Sequence, residues 1–196
     1  MTIYTIVVSQ STAEKRARIL AAAEQLYLRY GIRRTSIDDV ARAAGIAKGT
    51  LYLYYDSKET LNAAVVEKVC ADILTDGRRA LGERGTLVQR LVAFLDAWKG
   101  KPSRLMASSP HTAEIIESTA IVAVAITASF FEQMRAMLRD ALRDVGIVHD
   151  DAVTMLYAAA VGTLETGDIG EEPYRARLAS IVEILTTGLR AKDGFS

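Results

Sequence analysis

An all-α fold follows from three features of this 196-residue chain: only 3 residues are Pro, 50% are hydrophobic with Ala abundant, and the apolar positions recur at helical spacing. The length fits one domain or two small ones. Gly and capping hydroxyls then punctuate the chain into elements.

Residues 1–11 carry no basic n-region or small-residue cleavage site of a signal peptide, and are expected to be a disordered leader. A first helix starts near Thr12 with Ile19, Ala22, Ala23, Leu26 and Tyr30 on one stripe, and Gly31 stops it. Thr35 and Ser36 each precede an Asp by three residues, a pattern close to a capping box, and open a second helix. Its apolar positions are Ile37, Val40, Ala41 and Ala44, and Gly45 supplies the tight turn that ends it. A short third helix covers residues 48–54. Ser57 caps a longer connector through Leu61, Ala64, Val65, Lys68, Val69 and Ile73.

Gly82 to Gly85 break the connector. Thr86 caps a helix bearing Leu91, Phe94, Leu95 and Trp98, which Gly100 to Pro102 are expected to end. From Pro110 a long helix runs to about Val145, apolar round much of its circumference and therefore buried on several sides. Asp150 or Asp151 opens a helix to residue 166, and a last helix spans 173–190.

Several function classes drop out. A lone Cys70 forms no intramolecular disulfide, and one Cys with two His makes no four-ligand zinc cage, so no metal or cofactor and a cytoplasmic location are expected. The longest mostly apolar stretch, residues 120–131, falls short of the ~20 needed to cross a bilayer, so no membrane partner is expected. An enzyme would need a constellation of acids, bases or ligands, and the Glu-x-x-His pattern of di-iron bundles is absent.

Charge is uneven. The formal charge of the chain is zero, but residues 1–58 hold nine Lys and Arg against five Asp and Glu, a net of +4 on a small head. Within that head, two helices joined by a short Gly-containing turn, the second of them short, describe a helix-turn-helix unit.

The segment from Thr35 to Leu61, TSIDDVARAAGIAKGTLYLYYDSKETL, resembles the DNA-binding head of the TetR family of transcriptional regulators, and the likeness extends over residues 13–61. Chemistry supports it independently. Lys48 is suited to guanine O6 or N7 or to a phosphate, and Gly49 leaves room for backbone to approach one. Thr50 and Tyr54 are candidate phosphate donors, while Tyr52 and Leu53 lie opposite the core anchor Leu51 and can meet thymine methyls. Lys58 and Ser36, each at a helix start, complete the candidate contacts. Tyr55 reads as core, and Asp38 and Asp39 as capping residues. Arg33 and Arg34 fit solvated loop charges and outer phosphate contacts equally. One departure stands out: the family commonly has Ser before the lysine, as a cap, and this chain has Ala47.

The resemblance implies a DNA-binding domain over 12–58 and a ligand-binding and dimerisation domain over 59–196. It further implies a homodimer that binds a palindromic operator on double-stranded DNA, acts as a repressor, and is released by a small, apolar effector. The last two helices would pair across a two-fold axis, through Ala158 and Gly162 on one and Leu178, Ile181 and Leu185 on the other. Candidate pocket residues are Phe94, Trp98, Met106 and His111, with Ile115, Phe130, Met134 and Tyr157 further along. A protein-interaction module with a vestigial head is the rival reading.

Overall fold

A computed structural model describes residues 2–193, and among these every regular element is helical. In chain order they are α1 (Thr2–Tyr30), α2 (Ile37–Ala43), α3 (Lys48–Tyr52) and α4 (Lys58–Gly82), then α5 (Leu87–Leu95) with a π-helical turn (Asp96–Gly100). After it come α6 (Lys101–Ala107), α7 (Thr112–Arg143), α8 (Ala152–Glu165) and α9 (Glu171–Asp193). Contacts divide the chain into two units, Met1–Val69 with Ser109–Ile126, and Cys70–Ser108 with Thr127–Ser196.

In the first unit α1 begins at Thr2, so the backbone of residues 2–11 is helical where a disordered leader is expected from the sequence. Ile19, Ala23, Leu51 and Leu61 are fully buried and form its centre, with Val40 and Tyr27 beside them. Tyr27, not Tyr30, is the aromatic anchor: it is 4% exposed against 45%, and its hydroxyl donates to Asn62 Oδ1 at 2.5 Å. A stripe leaves one helical turn of ambiguity at its edge, and packing against α4 settles it. The unit extends past residue 58 because Leu61 and Val65 of α4 and Ile115 of α7 pack into this core. The start of α7 is tied to the turn after α1. Arg33 donates its backbone N–H to Glu114 at 2.6 Å and its guanidinium to Glu117 at 2.9 Å, and Ser109 donates to Leu28 O at 2.7 Å. Gly31, at φ +83°, passes so close that a Cβ there would lie 2.5 Å from the Glu114 carboxylate.

In the second unit Phe94, Leu95, Met134, Leu138, Leu156, Tyr174, Leu178 and Val182 are completely buried. The expected helix end at Gly100 to Pro102 does not occur. The chain passes through the π-helical turn straight into α6: Lys101 N–H donates to Asp96 O in the wider π pattern, and Pro102, which has no N–H to give, follows at the junction. That turn places Asp96, 5% exposed, against two arginines: Arg104 at 2.8 Å and Arg175 at 3.2 Å. Gly100 makes the arrangement possible, since a Cβ there would collide with the Asp96 carboxylate and sit 2.6 Å from Tyr174. Thr86 and Gln89 form a full capping box at the start of α5.

Candidate nucleic-acid interface

The interface is built on two helix starts. Ser36 caps α2 reciprocally: its hydroxyl accepts the Asp39 N–H at 3.2 Å while the Asp39 carboxylate accepts the Ser36 N–H at 3.0 Å. Hydrogen bonding from the Ser36 hydroxyl, and then from its backbone N–H, holds the Asp39 carboxyl below the usual carboxylate range. Thr35, the other candidate cap, is buried and donates back to Gly31 O at 2.7 Å. Gly45, at φ +65°, then turns the chain towards α3.

Ala47 takes the extended conformation of a helix cap but offers no side-chain bond, so α3 starts with its first N–H groups uncapped by a side chain. Leu51, fully buried, anchors the helix from below. The opposite surface carries Tyr52, 44% exposed, and Leu53, 86% exposed, two large apolar side chains with no protein core to enter. Gly49 has open space where a side chain would be, and Thr50 is half-buried beside it. Tyr54 is half-buried against the head core with the Arg16 guanidinium 5.9 Å from its ring centre, which leaves only part of it facing solvent. Tyr55 is core, and burial pushes its phenol up.

A surface cavity of about 350 Å³ lies in front of α3, lined by Arg33, Arg34, Ser36, Lys48, Tyr52 and Lys58, with Asp38 among them. It brings together four of the candidate contacts and the two arginines that sequence left undecided. The structure separates that pair: Arg33 is held by Glu117, whereas Arg34 forms no ion pair among the described residues. Lys58 donates to Arg33 O at 3.4 Å. Asp38 does not cap α2. Its carboxylate takes the Lys48 ammonium instead, at 2.9 Å and 3.1 Å to its two oxygens. That hydrogen bond, reinforced by the negative charge, raises the affinity of Lys48 for its proton. Sequence reading missed this pair because its partners are ten residues apart and belong to different helices.

The candidate ligand residues divide between the two units. His111 and Ile115 belong to the first unit, where Ile115 packs on the head core and His111 lies 3.9 Å from Glu114. Phe94, Trp98, Phe130 and Met134 are packed interior of the second unit, with the Trp98 ring centre 4.9 Å from that of half-buried Tyr157 at a tilt of 53°, and Met106 is half-buried on α6. A cavity of about 550 Å³ in that unit is instead lined by charge, including Asp76, Arg79, Asp96, Lys101, Arg104 and Arg175. Among the expected interface residues, Leu178 is fully buried within its own chain and presents nothing to a partner. Ile181 and Ile184 are the exposed apolar positions of α9, at 37% and 72%, while Ala158 is exposed and Gly162 and Leu185 are half-buried. No helix among the described residues is long and apolar enough to cross a membrane, and no group of three or more His, Cys, Asp or Glu there is placed to hold a metal ion.

Comparison with known proteins bears on the same region. Residues 19–65 match the family model described as bacterial regulatory proteins, tetR family. An uncharacterized HTH-type transcriptional regulator of Mycobacterium tuberculosis is 25% identical over 164 residues, covering 82% of this chain and 86% of the relative. The HTH-type transcriptional activator FasR of Mycolicibacterium smegmatis is 31% identical over 85 residues, 43% of this chain and 39% of FasR. A crystal structure of a TetR-family regulator from Rhodococcus sp. superposes with a TM-score of 0.66 at 18% identity, covering 89% of this chain and 99% of that one, and shows the same fold.

Proposed function

Because the chain belongs to the TetR family of transcriptional regulators, we propose that it binds a palindromic operator as a homodimer, represses transcription there, and is released by a small-molecule effector taken up by its second unit. It is a regulator and not an enzyme, as its relatives are. The observation that carries the reading is the outer surface of α3, where Lys48, Tyr52 and Leu53 are exposed around an open Gly49 with the basic cavity alongside. A short helix fixed underneath by one leucine and bare on top is the form in which a recognition helix enters a major groove. Lys48 addresses guanine acceptors, Tyr52 and Leu53 address thymine methyls, and Arg34, Lys58 and Thr50 address phosphates.

Two such helices read a palindrome when a dimer sets them about one helical turn, ~34 Å, apart. The exposed Ile181 and Ile184 of α9, with Ala158 and Gly162 of α8, are the apolar and small residues proposed to form that dimer. An effector acts only through unequal affinity for the operator-bound and free forms. The regulator works in the cytoplasm, where its DNA is.

The test is operator binding over a salt series with a duplex selected by the protein from a randomised library. Affinity should fall linearly on log-log axes, with a slope of about 0.9 per phosphate neutralised. A flat response excludes the reading. Lys48→Ala with Tyr52→Ala should abolish the shift and leave dimerisation, followed by light scattering, unchanged. FasR is described as an activator, so the sign is tested separately: deleting the gene should raise transcription from the operator under repression and lower it under activation.

A further inference from the structure

A carboxylate at the centre of a phosphate-seeking surface needs a reason. Asp38 stands in the cavity with Arg34, Lys48 and Lys58, and negative charge there repels the backbone of any duplex that docks. Capping is not that reason, since Ser36 and Asp39 supply both bonds of the capping box and the Asp38 carboxylate bonds to Lys48 instead. Nor is Asp38 a buried structural group: it and Lys48 keep 49% and 56% of their side-chain surface in solvent. Among the described residues its partner is the ammonium of Lys48, which bridges both carboxylate oxygens.

We propose that Asp38 is a specificity-determining residue, which occupies Lys48 in the free head so that Lys48 joins DNA only where a guanine edge displaces the carboxylate. This rests on the reading of α3 as the recognition helix. The two oxygens that Lys48 spans, at 2.9 and 3.1 Å, present paired acceptors as guanine O6 and N7 do in the major groove. Exchange from Asp38 to guanine therefore keeps the bonding of the ammonium. Exchange to a phosphate of an unrelated sequence also gives the ammonium two oxygens, and Asp38 loses its partner in either case, but only the operator returns a base contact that offsets that loss. The ion pair thus withholds one cation from non-specific binding, which is almost wholly electrostatic, and withholds little from binding to the operator.

The experiment compares wild type, Asp38→Asn and Asp38→Glu on two probes over a salt series: the duplex that the wild-type chain enriches from a randomised library, and a scrambled duplex of equal length. Circular dichroism of each variant checks that its helices are intact. Asp38→Asn should bind the scrambled duplex about fivefold more tightly and with a salt slope steeper by about 0.9, as for one added phosphate contact. Its affinity for the enriched duplex should change by less than about twofold, so the ratio between the two falls. Asp38→Glu, which keeps the charge, should retain most of the wild-type ratio. An unchanged ratio in folded Asp38→Asn overturns the inference and leaves operator binding standing. Failure of the wild type to enrich any duplex overturns both.

Discussion

Around α3 the ion pairs lie in water, with Lys48 and Asp38 keeping 56% and 49% of their side-chain surface, whereas in the second unit Arg104 and Asp96 keep 19% and 6%. Each motif is a carboxylate held by a neighbouring cation, but the surroundings give the two pairs opposite uses. A solvated pair contributes little to stability and exchanges readily for another anion. A buried one locks its neighbours, because losing either partner strands a charge away from water. Charge near α3 is therefore available for recognition, while charge around the π-helical turn holds α5, α6 and α9 in register.

The contrast makes predictions of graded size. Asp96→Ala should be the most damaging, since Arg104 and Arg175 both lose their buried partner; a loss of about 3–5 kcal/mol is expected from the urea unfolding midpoint. A loss below about 1 kcal/mol would mean that the buried cluster behaves like the exposed one. Leu51→Ala empties the anchor beneath α3 and should cost about 2–5 kcal/mol by thermal or chemical melting, with duplex binding lost as the surface proposed for recognition loosens.

Ser36→Ala removes one arm of the capping box and should cost about 1 kcal/mol. It should also change the pH response. The folded Asp39 carboxyl titrates below its usual range, so its contribution is complete above that range and fades as pH falls through the lowered folded value. The variant should show a flatter acid limb in a pH series of melting temperatures. Ala47→Ser should have the smallest effect, a gain of about 0.5 kcal/mol, because the residue already adopts the extended cap conformation and lacks only the hydroxyl. Absence of any gain would show that the start of α3 is held by Leu51 and the Lys48 to Asp38 bridge alone.

Much of the head was legible because its signals are local. Ser36 with Asp39 and Gly45 at positive φ each act within one turn of helix, and the structure has them in place, as it has the Thr86 cap in the second unit. The exposure of Tyr52 and Leu53 followed likewise from their position opposite Leu51 on a short helix. The pocket and part of the interface were not legible. Phe94, Trp98, Phe130 and Met134 have the composition of a ligand lining and of a packed core alike, and only their neighbours decide which. Leu178 and Ile181 lie three residues apart on one helix face, yet one is fully buried and the other is exposed.

By itself, the sequence determined the helical class, the caps at Ser36 and Thr86, the turn between α2 and α3, and which surface of α3 is bare, since each depends on residues within a few positions of one another. Tertiary structure alone decided that Asp38 turns to Lys48 rather than to its own helix, that Tyr27 and not Tyr30 enters the core, that residues 109–126 join the head, and that Asp96 is buried between two arginines. Those outcomes rest on side chains from separate elements meeting at a few ångströms. Helical periodicity carries no information about that distance.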